Sequence, residues 1–272
     1  LYRIRTVVNA VRELSEKKKK ATDRQIAEVL ASRKLSKLKL TRIRHRIHRR
    51  ARDHLLNAAY IGLVTRSATR PFNYEPTPAG EMLSKYRFVD ECPKDAVEKA
   101  VFTDRLMRFK LTNIYDLQFK KTYQDYLTRP FLYLLTLLRY QPLHLYQIYQ
   151  ALGKRKSDPN LNPEVVKDVL GEFSKYPDYD KRAIIEFCKA YDFDEAKRRE
   201  ARRSAKPMVD WCEQLGLVFR ADDWYFISEL GLTVQGRYSS FIPVWYYSLG
   251  DGAEFKAALI LAYLAAREKA IK

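Results

Sequence analysis

The chain has 272 residues, of which 46% are hydrophobic and 13% aromatic, a globular composition long enough for two domains. Lys and Arg number 51 against 33 Asp and Glu, and this net charge of +18 favours a polyanionic partner such as double-stranded DNA. The apolar runs are too short to cross a membrane, the first residues do not form a signal peptide, and Cys92, Cys188 and Cys212 do not form a disulfide framework, so we expect a cytoplasmic protein.

Residues 1–90 predict a winged helix-turn-helix domain. Two amphipathic helices come first, the second with Thr22 as its N-cap. A third, longer helix ends at Gly62 and leads into a two-stranded hairpin, and Thr77 begins a closing helix. Three helices followed by a hairpin and a helix is the order of a winged helix, in which the third helix is the recognition helix.

The third helix contains the stretch "RKLSKLKLTRIRHRIHRRARDHLL" (33–56), which has many cations and an apolar pattern. At 100° per residue, Ile43, Ile47, Ala51, Leu55 and Ala58 cluster on one side. The side expected to contact DNA carries Arg42, His45, Arg46, Arg49 and Arg52, and the hairpin adds Arg66 and Arg70. The alternative interpretation is a solvated charged face on an ordinary helix.

Residues 91–127 are expected to form an ordered connector, and residues 128–240 repeat the winged-helix order. The second basic run places Arg199, Arg202, Arg203 and Lys206 opposite an apolar face, and we expect these cations to contact DNA. Pro207 either kinks this helix or starts it, and in the second case the arginines would lie in a loop and grip the DNA backbone. An apolar helix within 241–272 could begin a further domain.

No catalytic set is expected in the chain. Asp178, Glu195 and Lys197 match the spacing of a metal-dependent nuclease, and the alternative that the chain is itself the nuclease rests on them. Their surroundings are charged throughout and predict a helix, whereas that site needs a strand. No metal site is expected either, because His45 and His54 point apart on the helix.

Three segments carry a resemblance to a known family. "MVDWCEQLGLVFRADDWYFISELG" (208–231) resembles the DNA-recognition region of type IIS restriction endonucleases of the FokI and AlwI kind, where a helix, Leu-Gly-Leu-Val and a short hairpin end the second recognition subdomain. "FLYLLTLLRYQPLHLYQIYQALG" (131–153) looks like the start of that subdomain, and "LLNAAYIGLVTRSATRPFNYEPTPAGEML" (55–83) is similar to the wing of the first.

The resemblance implies a prokaryotic enzyme that binds a short asymmetric site through piggybacked winged helices and cuts outside it with a separate, Mg²⁺-dependent nuclease domain. The fold class is therefore expected to be mainly α (α+β), with tandem winged helix-turn-helix domains and short hairpin wings. Because the chain lacks an initiator Met and stops before such a nuclease, we expect a monomeric DNA-binding fragment without a cofactor, located with the nucleoid. The alternative is a tandem winged-helix transcription regulator or replication factor without nuclease activity.

Overall fold

The computed structural model describes residues 2–17, 19, 21–34, 51–67, 70–85, 94–109, 129–153, 163–175 and 181–239. These residues are mainly helical with two small antiparallel sheets, which confirms the expected class. The chain divides into two compact units, unit 1 within 2–109 and unit 2 within 129–239. Several sequence predictions lie outside the described residues, namely those for Arg42, His45, Arg46, Arg49, Asp178 and the segment 241–272.

Unit 1 contains, in chain order, α1 (Tyr2–Glu16), α2 (Asp23–Lys34), α3 (51–60), β1 (Val64–Arg66), β2 (Tyr74–Pro76), α4 (Pro78–Lys85) and α5 (Lys94–Arg108). The helical spacing of apolar residues in α1 turns one face into the core, burying Ile4, Val7, Val8, Val11 and Leu14. Within α3, Ala51, Leu55 and Ala58 are buried and Arg52 is exposed, as the helical wheel predicts.

The helix α5 lies in the stretch expected to be a connector. It packs against α4, and its Glu98 forms an ion pair with Arg5 of α1. Asp104 is buried in the same helix and its Oδ1 accepts from Arg108 Nε at 2.7 Å. The described part of this stretch is therefore a regular helix of unit 1.

Unit 2 contains α6 (Pro130–Tyr140), β3 (Leu143–His144), α7 (Leu145–Gly153), α8 (Pro163–Phe173), α9 (Lys181–Ala190), α10 (Glu195–Gln214), β4 (Val218–Ala221), β5 (Trp224–Ile227) and α11 (Glu229–Ser239). Its sheet has the order β3-β5-β4, with all neighbours antiparallel. The short strand β3 was not anticipated from the sequence. Helices α8 and α9 stand between α7 and α10 in chain order, whereas residues 35–50, between α2 and α3 of unit 1, lie outside the described residues.

In unit 1, a network of polar contacts joins the end of α3, the β1–β2 hairpin and the start of α4. Gly62 ends α3 with a positive φ of 71°, a conformation that glycine adopts freely. Thr77 N donates to Leu63 O at 3.1 Å, and its Oγ1 donates to Gly62 O at 2.7 Å and accepts from Gly80 N at 3.2 Å. The threonine therefore ties the helix end to the hairpin and also caps α4.

Unit 2 repeats this network. Gly216 ends α10 with a φ of 74°. Ser228 N donates to Leu217 O at 3.0 Å, and its Oγ donates to Gly216 O at 2.6 Å and accepts from Gly231 N at 2.9 Å. We call the two networks the shared frame, defined by Gly62, Leu63, Thr77 and Gly80 in unit 1 and by Gly216, Leu217, Ser228 and Gly231 in unit 2.

The residues that precede the second helix of each unit, α2 and α7, also form similar contacts. Thr22 precedes α2, its Oγ1 accepts from Gln25 N at 3.4 Å, and its own N–H donates to Gln25 Oε1 at 3.3 Å. His144 precedes α7, and its N–H donates to Gln147 Oε1 at 2.8 Å. Each of these residues also pairs with the hairpin of its unit, Thr22 with Asn73 and His144 with Trp224. A strand-like segment before the second helix is therefore common to both units.

No helix in the described ranges combines the length and the apolar character that crossing a bilayer requires.

Candidate nucleic-acid interface

The helix α10 is fixed firmly at its start. The Asp194 carboxylate accepts from Lys197 N at 2.7 Å and so caps the helix. Lys197 Nζ donates to Tyr191 O at 2.9 Å and Arg198 Nε donates to Phe193 O at 3.1 Å, so both cations fold back onto the preceding turn. The first basic residues of the helix are therefore occupied in anchoring it.

The helix then runs through Pro207 without a break. Proline has no N–H for the carbonyl of Arg203, which removes one helical hydrogen bond. Ala201, Ala205, Val209 and Cys212 are buried on both sides of the proline, where α10 packs against α7 and β4. This burial holds the helix together, so the arginines lie on the helix and not in a preceding loop.

The opposite side of α10 presents three arginines to solvent. Arg199, Arg202 and Arg203 are exposed, and within the described part of the chain their side chains form no hydrogen bond or ion pair. We call these three residues the arginine ridge. Guanidinium groups held on a rigid helix without internal partners keep their donors available for phosphate oxygens or guanine edges.

Lys206 lies one turn beyond the ridge and differs from it. Its Nζ donates to Asp210 Oδ1 at 2.7 Å, and this hydrogen bond raises the pKa of Lys206. Burial is the main cause that raises the pKa of Tyr225, and the positive charges of Lys206 and Arg220 oppose that rise. Lys206, Asp210, Arg220 and Tyr225 therefore form a polar cluster between α10 and the β4–β5 hairpin.

The hairpin of unit 1 carries the predicted Arg66 and Arg70. The Arg66 guanidinium carbon lies 4.7 Å from the centre of the Phe72 ring and that of Arg70 lies 5.5 Å away. Arg66 is only 8% exposed, whereas Arg70 is exposed. Burial, followed by the Asp23 carboxylate, raises the pKa of Tyr74, and Arg66 opposes that rise. Arg66 therefore packs within unit 1, and Arg70 is the hairpin arginine that is exposed to solvent.

The nuclease-like spacing gains no support from the described residues. Glu195 and Lys197 lie in the first turn of α10 and not on a strand, and the Lys197 ammonium is bonded to the Tyr191 carbonyl. Across the described ranges no group of three or more His, Cys, Asp and Glu is placed to hold a metal ion. These two residues therefore do not fit the Mg²⁺ arrangement that the spacing suggests.

Sequence reasoning missed Asp210 and the cluster around it. The signal was present, because a carboxylate four residues after a lysine on a helix forms an i,i+4 pair. Arg220 could not be found in the same way, since the hydrogen bond from its guanidinium to Asp223 depends on the turn of the hairpin.

The fold of this chain is similar to that of the BpuJ1 endonuclease binding domain, whose crystal structure contains pyrene- and phenanthrene-modified DNA. The match has a TM-score of 0.50 at 11% sequence identity and covers 95% of this chain and 88% of that chain. No protein-family model matches the sequence, and no curated protein matches it either. At this identity the likeness concerns the fold.

Proposed function

We propose that the protein binds double-stranded DNA in a sequence-specific manner through two tandem winged helix-turn-helix units. The observation that carries the proposal is the arginine ridge, three exposed guanidinium groups without internal partners on α10, the helix that leads into the hairpin of unit 2 as α3 does in unit 1. In a winged helix this is the element that enters the major groove. The excess of cations over the whole chain and the fold likeness to the BpuJ1 endonuclease binding domain support the same function.

The finer part of the proposal is that the chain is the recognition region of a type IIS-like restriction endonuclease whose parent protein cuts DNA with Mg²⁺. The sequence resemblance and the fold likeness support it. Incubating plasmid with Mg²⁺ and the parent protein should give defined fragments, whereas the chain described here should bind without cutting. A tandem winged-helix regulator or replication factor would bind its site and leave the plasmid intact in both cases.

Salt dependence tests the DNA-binding function directly. The affinity for a selected duplex, measured by fluorescence anisotropy, should fall steeply with salt, because each neutralised phosphate releases a counterion. Replacing Arg199, Arg202 and Arg203 together by Gln should reduce the slope of log affinity against log salt by roughly two to three units.

The matched control removes three charges from the part of the same unit between α7 and α10. Lys175→Gln, Arg182→Gln and Lys189→Gln change exposed cations outside α10 and should leave the slope nearly unchanged. A flat salt dependence of the unmodified protein would show that it does not bind DNA. An equal loss in the two triple variants would show that the ridge is not the contact.

A further inference from the structure

The side of α10 that carries the arginine ridge also carries acids, the exposed Glu200 within the ridge and the partly exposed Asp210 beyond it. Arg203 and Asp210 are seven residues apart, which places them about 20° apart around the helix and about 10 Å apart along it. The side expected to approach DNA therefore continues from the arginine ridge to a carboxylate. An ionised carboxylate repels phosphates, so its presence on this side needs a reason.

The shared frame does not require this acid. Residue numbers differ by 154 between Gly62 and Gly216, and the same difference pairs the buried Ala51 with Ala205 and Leu55 with Val209. At this offset Arg52 corresponds to Lys206 and Leu56 to Asp210. Unit 1 therefore keeps the cation of the pair and builds the same frame without the carboxylate.

The geometry of the pair leaves hydrogen-bonding capacity on both partners. The Lys206 ammonium has three donors, of which one goes to Asp210 Oδ1. Apart from this ion pair, the described residues form no hydrogen bond to the Asp210 carboxylate, and the two side chains are 40% and 36% exposed. The pair thus offers an oriented donor and an oriented acceptor side by side.

We propose that Lys206 and Asp210 together read one guanine–cytosine base pair in the major groove, with Lys206 donating to guanine O6 or N7 and Asp210 accepting from cytosine N4. These are the principal partners of lysine and aspartate among base edges, and the acceptors of guanine lie next to the amino group of cytosine. The ion pair also lowers the cost of bringing a carboxylate near the phosphates, since Lys206 balances its charge locally. This inference rests on the proposed DNA-binding function and adds a specificity determinant to it.

The test is a binding-site selection with random duplexes for the unmodified protein and for Asp210→Asn. Asparagine keeps one acceptor and adds a donor, which is the pattern that suits adenine. One guanine–cytosine position of the selected site should lose about tenfold of its preference in Asp210→Asn, with a gain for adenine, while the other positions stay the same. Lys206→Gln should relax the same position.

Glu186→Gln is the matched control, because it removes one exposed carboxylate charge from α9 of the same unit. It should change affinity for all duplexes equally and leave the selected site unaltered. If Asp210→Asn selects the same site as the unmodified protein, or if the relaxed position is an adenine–thymine pair, the inference is overturned while DNA binding stands. If the unmodified protein selects no site and binds no duplex, the proposed function itself fails.

Discussion

The two hairpins are anchored by the same frame contacts but carry different charged residues at their tips. In unit 1, Arg66 and Arg70 lie beside the Phe72 ring and the outward tip is positive. In unit 2, the tip turns through Asp222, with a φ of 52°, and Asp223, and Asp223 accepts from the Arg220 guanidinium. The frame therefore fixes where a hairpin stands, and the few residues beyond it decide what the hairpin can bind.

If the two frames are equivalent, each should contribute equally to the stability of its own unit. A Cβ atom at Gly80 would lie 2.0 Å from Leu63 O, and one at Gly231 would lie 2.1 Å from Leu217 O. A backbone carbonyl cannot move aside, so Gly80→Ala and Gly231→Ala should each lower the free energy of unfolding of their own unit by about 3 kcal/mol. Hydrogen exchange with mass spectrometry, read on peptides from each unit, measures the two effects separately.

Gly236→Ala is the control within α11, because a Cβ there meets nothing within 4 Å. It should stabilise unit 2 by roughly 0.5–1 kcal/mol, as alanine does in a helix interior. Protection that falls in only one of the two units after the matching glycine substitution would show that the frames are not equivalent.

The residue before the second helix should make the stabilities of the two units depend differently on pH. Thr22 holds this place in unit 1, whereas unit 2 has His144, whose burial lowers its pKa to about 4. Tyr146 N donates to His144 Nδ1 at 3.2 Å, which also favours the neutral ring. Because the unfolded chain takes up the proton near its ordinary pKa of 6.5, unit 2 should lose up to about 3 kcal/mol as pH falls from 6.5 to 4.

Urea unfolding followed by tryptophan fluorescence measures this loss, since Trp211 and Trp224 both lie in unit 2 and the Trp224 ring contacts His144. His144→Asn keeps an acceptor for the Tyr146 amide but does not titrate, so its stability should depend less on pH across this range. Parallel pH profiles of the two proteins would assign the acid sensitivity to other groups.

The smallest expected effect concerns the hairpin tips themselves. Arg70→Gln should lower the slope of log DNA affinity against log salt by about one unit, because it removes an outward cation. Arg220→Gln should leave the slope unchanged, since Asp223 already balances that charge. The same anisotropy titration reads both variants, and an equal loss in the two would mean that both hairpins contact phosphates.

The features predicted correctly from the sequence depend on adjacent residues. Gly62 ends a helix and Thr77 begins one because turn and capping chemistry needs only a few neighbours. The two-residue strand β3 could not be predicted, because it exists through pairing with β5 about eighty residues later. The continuity of α10 through Pro207 likewise depends on packing against α7, which is distant in the sequence.

The candidate site divides in the same way. The exposure of Arg199, Arg202 and Arg203 follows from the helical period and was predicted, whereas their role in binding DNA stays a prediction. The ion pair between Lys206 and Asp210 could have been predicted from their four-residue spacing but was not. The burial of Arg66 could not be inferred, because it depends on the Phe72 ring packed across the hairpin.

The frame fixes the ends of each hairpin and leaves the length between them free. Leu63 and Leu217 differ by 154 in residue number, but Thr77 and Ser228 differ by 151, so the unit 1 hairpin is three residues longer between corresponding anchors. The two units thus show that the same anchoring hydrogen bonds accommodate two hairpin lengths. A library that varies the length and sequence of residues 68–71 would leave the buried Phe72 and the pairing of Asn73 with Thr22 in place, which makes this part of the hairpin a site for grafting new recognition loops.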